Sequence, residues 1–252
     1  DDASRELLGV KEGSDAFEFT YQATLPTMAE PAKMWIPIPT EDQFQEITMN
    51  RIEIPGEYQI LTEEKFGNQI LYVELQPQDS GKTMVLHFDV KRQEKAVFVD
   101  DTKPELYLLA ETMVPLNEKF KTIARNALKD KNGGDLVRAR ALYDHTIDSM
   151  KYAKFGSGWG QGNANFACDS ARGNCTDYHS YFIALCRASD IPARFAIGAA
   201  VPSSRDDGGV SGYHCWAEFY AEGKWWPVDI SEADKYAALA TYYFGHNPAN
   251  RV

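Results

Sequence analysis

At 252 residues the chain is long enough for two cores of ordinary size, and 44% hydrophobic with 25% charged residues is the composition of a globular protein. A formal charge of −11 argues against a nucleic-acid footprint and against attraction to anionic lipid. No stretch approaches the ~20 apolar residues that a membrane-spanning helix needs. Residue 1 is Asp rather than Met, so something ahead of it is expected to have been removed; a cleaved leader would imply a secreted or periplasmic protein. The four cysteines, 168, 175, 186 and 215, all fall in the C-terminal third. They do not form the framework of a small disulfide-stapled domain, though one pair could still bridge.

The first third reads as β-structure. Phe17, Phe19, Tyr21, Ala23 and Leu25 alternate with Glu18, Thr20, Gln22 and Thr24, the pattern of a half-buried strand. Further strands are expected at 34–38, 46–54, 69–75, 83–91 and 95–99, separated by turns at Pro55-Gly56, Gly67-Asn68 and Asp79-Ser80-Gly81. Such spacing predicts a small antiparallel β-sandwich. His87 has no partner cluster in sequence and reads as a surface or edge residue. No chemistry is apparent in this part.

Asp100-Asp101-Thr102-Lys103-Pro104 reads as a linker, dividing the chain into a β-rich domain at 1–103 and a second domain at 104–252. Beyond it the apolar period changes to three-and-a-half. A helix capped by Asn117 carries Phe120, Ile123, Ala124, Ala127 and Leu128, and Asn132-Gly133-Gly134 ends it. A second helix is expected from Asp135 to Met150, with His145 off its apolar stripe and solvated. The glycine-rich run Phe155–Gly162 is a loop. It could line a cleft with Trp159 as a wall and Gln161 as a polar contact.

Gly173-Asn174-Cys175 then opens a helix with Tyr178, Phe182, Leu185 and Cys186 on its inner face, Asn174 as cap and Asp190-Ile191-Pro192 as stop. A thiol at a helix N-terminus stands in the positive end of the macrodipole, which favours its thiolate. Strands follow at 193–201 and 213–220, and a hairpin at Glu222-Gly223 returns the chain along Lys224–Asp229. Residues two apart share a strand face, so His214, Trp216 and Glu218 point one way and Cys215 and Ala217 the other. Asp229, at the end of the returning strand, becomes a neighbour of His214. Cys175, His214 and Asp229 then form a nucleophile, base and orienter, with Trp159, Gln161 and Trp216 as candidates for substrate or oxyanion contacts. Cys175 and His179, with Cys168 and Cys186 nearby, match no standard zinc spacing, so no metal or other cofactor is expected.

Gly173-Asn174-Cys175, Gly212-Tyr213-His214-Cys215-Trp216-Ala217-Glu218 and Trp226-Pro227-Val228-Asp229 resemble the three core motifs of the transglutaminase-like superfamily. The resemblance covers roughly residues 115–245. It implies a papain-like α+β core with Cys175, His214 and Asp229 as catalytic residues, most similar to bacterial cysteine-protease members with a β-rich domain ahead of the core. Animal transglutaminases carry Trp after the catalytic Cys where this chain has Thr176, and no acidic loop resembles their calcium site. The expected activity is that of a thiol hydrolase or acyltransferase on amide bonds of a peptide or protein, a peptidase or amidase first. The alternatives are a protein-cross-linking transglutaminase and a non-catalytic binding or scaffold module.

Overall fold

The structure is a computed structural model that describes residues 13–202, 207–210 and 212–252. The described residues up to Gln93 form one compact unit and Glu94–Arg251 another. The first unit holds β1 (Ser14–Thr24), β2 (Ala32–Pro37), β3 (Gln45–Glu53), β4 (Glu57–Thr62), β5 (Gln69–Leu75) and β6 (Thr83–Gln93). They form two three-stranded antiparallel sheets, ordered β1-β6-β3 and β2-β5-β4. The alternation read in sequence is borne out in β6, where Met84, Leu86, Phe88 and Val90 are buried while Thr83, Asp89 and Lys91 face water. Leu71, Val73 and Leu75 do the same for β5. No strand was expected at β4, and every one of its residues is exposed, so it leaves no in-out pattern to read. His87 is not partnerless: Thr20 Oγ1 lies 2.8 Å from its Nδ1, and Glu18 and Asp89 approach its Nε2. These three residues bring donor atoms within 4.8 Å of one another, a set that could present ligands to a cation.

The second unit contains α1 (Glu118–Ala127), α2 (Asp135–Ser149), β7 (Lys151–Tyr152), α3 (Ala164–Ser170), β8 (Arg172–Gly173), α4 (Cys175–Arg187), β9 (Ala193–Gly198), β10 (His214–Ala221), β11 (Lys224–Val228) and α5 (Ile230–Lys235). Its main sheet is antiparallel with the order β11-β10-β9, and β7 and β8 form a short parallel pair. The expected strand at 95–99 is absent. That segment instead makes single bridges, Lys95 to Asn247 and Phe98 to Trp225. The expected linker is likewise tied down: Arg194 donates to Asp100 at 2.8 Å and to Thr102 at 3.0 Å, and to the buried Glu218 at 2.7 Å.

Helix α4 is the centre of this unit. Tyr178, Phe182, Leu185 and Cys186 are buried as expected, but Tyr181, Ile183 and Ala184 are buried too, so the helix is enclosed on all sides rather than along one stripe. Phe120 of α1, Leu142 and Tyr143 of α2 and Phe219 of β10 close around it. Phe182 meets Phe219 edge-on with ring centroids 6.1 Å apart. Each such side chain contributes about 1.5–3 kcal/mol through burial, so α4 is firmly held in its unit. His145, expected in solvent, is half-buried and lies 3.1 Å from the Tyr181 hydroxyl of α4.

Candidate active site

Local chemistry places Cys175 at the first position of α4. Asn174 has extended backbone and its Oδ1 accepts from the N–H groups of Thr176 (3.0 Å) and Asp177 (3.4 Å). Asp177 answers by accepting from the Asn174 N–H at 3.0 Å, a reciprocal cap that fixes the helix start. The same Asp177 Oδ2 accepts from the Gly160 N–H at 2.7 Å, so the glycine-rich loop is fastened to the helix that bears the cysteine. Gly160 has φ of 78°, a left-handed conformation that glycine adopts without strain. Gly173 faces the opposite constraint: a Cβ there would stand 2.3 Å from the Asp177 side chain.

Across the site, His214 begins β10 and Asp229 follows β11. The ladder pairs Ala217 with Val228, which puts Asp229 on the His214–Trp216 face and diagonal to the histidine. His214 Nε2 and Asp229 Oδ2 are 2.6 Å apart, both residues buried. This leaves Nδ1 for the Cys175 thiol, with which His214 also interacts. Burial disfavours a charged imidazole, but the carboxylate outweighs it and pushes His214 up to about 9. Asp229 is held below the usual carboxylate range: burial pushes it up, and His214 and Arg251 more than compensate. The Cys175 thiol is lowered well below the ordinary thiol range, first by a hydrogen bond with Cys215 and then, against burial, by His214.

Asp229 does two jobs. Its Oδ2 faces His214 and the Arg251 guanidinium (3.3 Å), while Oδ1 accepts from the Ser231 hydroxyl (3.1 Å) and the Glu232 N–H (3.2 Å) as the cap of α5. A capping and an orienting aspartate are therefore compatible here, because the two oxygens divide the work. Arg251 was not anticipated, nor was Cys215. The latter points off the His214 face, as alternation requires, yet its sulfur reaches Thr176 Oγ1 at 3.3 Å and the Cys175 thiol. Tyr213, about half exposed, donates to the Gly160 carbonyl (3.3 Å) and accepts from Asn174 Nδ2 and Thr176 Oγ1, both at 3.1 Å.

Of the other anticipated contacts, Trp216 is buried with its ring centroid 6.1 Å from that of His214. Trp159 is partly buried and Gln161 exposed; they flank Gly160 and so sit beside the start of α4. His214, Asp229 and Glu232 have donor atoms within 4.8 Å of one another, but both Asp229 oxygens already hold protein partners, which disfavours them as metal ligands. Among the described residues no helix is long and apolar enough to cross a membrane.

Residues 121–230 match the family model of the transglutaminase-like superfamily. An uncharacterized protein of Haemophilus influenzae is 26% identical, across 94% of this chain and 77% of its own length. The crystal structure of a candidate cysteine protease from Cytophaga hutchinsonii superposes with a TM-score of 0.65 at 18% identity, covering 94% of this chain and 83% of that one. A more distant likeness is the periplasmic domain of TgpA from Pseudomonas aeruginosa, at 15% identity and a TM-score of 0.47, over 92% of this chain and 77% of that one. The chain is a mixed α+β protein with a transglutaminase-like core, matched over residues 121–230.

Proposed function

We propose that the protein is a cysteine hydrolase of amide bonds in peptides or proteins, working through Cys175, His214 and Asp229. The observation that carries this reading is the buried 2.6 Å contact of His214 Nε2 with Asp229, which leaves Nδ1 for a thiol at a helix N-terminus. The Cys175 thiolate attacks the carbonyl carbon, and the oxyanion forms at the Cys175 backbone N–H with one further donor near Gln161. The His214 imidazolium gives its Nδ1 proton to the departing amine as the C–N bond breaks, leaving a thioester. Water, deprotonated by the now neutral imidazole, attacks the thioester; the acid leaves and Cys175 is regenerated. Asp229 holds the imidazole in the required tautomer and stabilises its charged form. Trp159 and Trp216 flank the site and shape the substrate's approach.

An amine taking the place of water would make the same site a transglutaminase. A peptide-library digest with and without an added primary amine, read by mass spectrometry, separates the two. Hydrolysis products that vanish in Cys175→Ala support the proposal. A wild-type protein that binds peptides without turning any over would favour the non-catalytic module instead.

A further inference from the structure

His179 lies outside the set of three yet touches both of its ends. It sits one turn into α4 with no exposed surface. Its Nδ1 is 2.6 Å from the Cys175 carbonyl oxygen, and the Ile230 N–H donates to its Nε2 at 3.0 Å. These partners settle the tautomer. A backbone N–H can only donate, so Nε2 is an acceptor; a carbonyl can only accept, so Nδ1 carries the proton. The ring is therefore neutral, in keeping with burial, which lowers its proton affinity. Nε2 also stands 3.9 Å from Asp229 Oδ1, but without a proton it offers that oxygen no hydrogen bond. Asp229 is thus left to pair with His214 and Arg251.

The two bonds join the residue bearing the thiol to the residue after the carboxylate. No strand ladder does this, because β11 ends at Val228 and Cys175 stands on a helix. Resting on the reading of Cys175, His214 and Asp229 given above, we propose that His179 is a positioning residue: a neutral strut that holds the Asp229–His214 pair at its working distance from the Cys175 thiol.

The two ends of the strut are not equivalent. The Cys175 carbonyl, next after that of the Asn174 cap, also lies in the i to i+4 ladder of α4, whereas among the described residues the Ile230 N–H has His179 as its acceptor. Losing the Nε2 contact should therefore free Asp229 more than losing the Nδ1 contact. His179→Asn keeps an N–H near the position of Nδ1 but falls short of Ile230. His179→Gln puts an oxygen near the position of Nε2. Ile230→Pro deletes the donor from the other side, at the first position of α5, which proline suits.

The test is the pH profile of Cys175 alkylation by iodoacetamide, read by peptide mapping, with Leu185→Val as a packing control and thermal melts to keep every variant folded. The groups facing the ring are Asp229, His214 and Cys175. His179→Asn and Ile230→Pro should react at least tenfold more slowly at pH 6, with the profile displaced to higher pH. His179→Gln should stay within about threefold of wild type, and long-range 1H–15N spectra should show the Nδ1–H form of His179. If all variants follow the packing control, or if Gln fails as badly as Asn, the strut is refuted. A wild-type Cys175 no more reactive than Cys168 would overturn the underlying reading, and the strut with it.

Discussion

Asp229→Asn is the most informative single change, because the structure predicts its effects on reactivity and on stability separately. His214 is held at about 9 against an ordinary 6.5, a preference for the imidazolium of roughly 3 kcal/mol at ~1.4 kcal/mol per unit. The carboxylate supplies that preference against the opposing effect of burial. Without it the imidazole should return to 6.5 or lower, and at pH 7 the imidazolium fraction falls from nearly all to about a quarter or less. A second effect adds to this. The amide nitrogen of Asn, turned towards Nε2, donates there and forces the histidine proton onto Nδ1, the atom that must accept from the thiol. Cys175 alkylation at pH 6–7 should therefore slow by ~100-fold or more. The cap of α5 survives, because the amide oxygen still accepts from Ser231 and Glu232. Arg251 is left without its buried counter-charge, so unfolding in urea should be easier by about 3 kcal/mol. Alkylation at the wild-type rate in a folded Asp229→Asn protein would refute the assigned role of this carboxylate.

Three further outcomes are expected. Leu185→Ala opens a cavity at a fully buried position of α4 and should lower stability by about 2–5 kcal/mol in a denaturant melt. Gly173→Ala drives a Cβ to within 2.3 Å of the Asp177 side chain, so the cap of α4 must shift; a marked fall in melting temperature with slower Cys175 alkylation is expected. His214, raised to about 9, contributes stability that is complete below pH 6.5 and lost as pH rises through 9. Cys175, lowered from 9.0, contributes stability that is complete above 9 and lost as pH falls, so the two slopes oppose each other in wild type. In Cys175→Ala only the histidine slope remains, and urea melts should show stability declining from pH 6.5 towards 9 relative to wild type.

What could be read from sequence was whatever is written in local chemistry. The Asn174 cap, the apolar period of α4, the alternation of β10 and the hairpin at Glu222-Gly223 are each set by neighbours a few residues apart, and together they bring Cys175, His214 and Asp229 to one place. What escaped depends on closure in three dimensions. The segment at 95–99 alternates like a strand, but among the described residues its backbone pairs through isolated bridges, to Asn247 and Trp225. Arg251 reaches Asp229 from far along the chain, and His179 acquires its meaning only when Ile230 arrives beside it. His145 lies off the apolar stripe of its own helix and is covered by α4.

Asp177 carries a consequence for motion. One carboxylate oxygen receives the N–H groups of both Gly160 and Asn174, so the loop cannot lift away without surrendering a bond to the helix start. Amide-proton exchange should register this. Gly160 lies in a stretch without regular secondary structure, where exchange is ordinarily fast, yet its proton should be lost only in openings that part it from Asp177. The exchange rate at that single glycine then times how often the loop parts from the helix start.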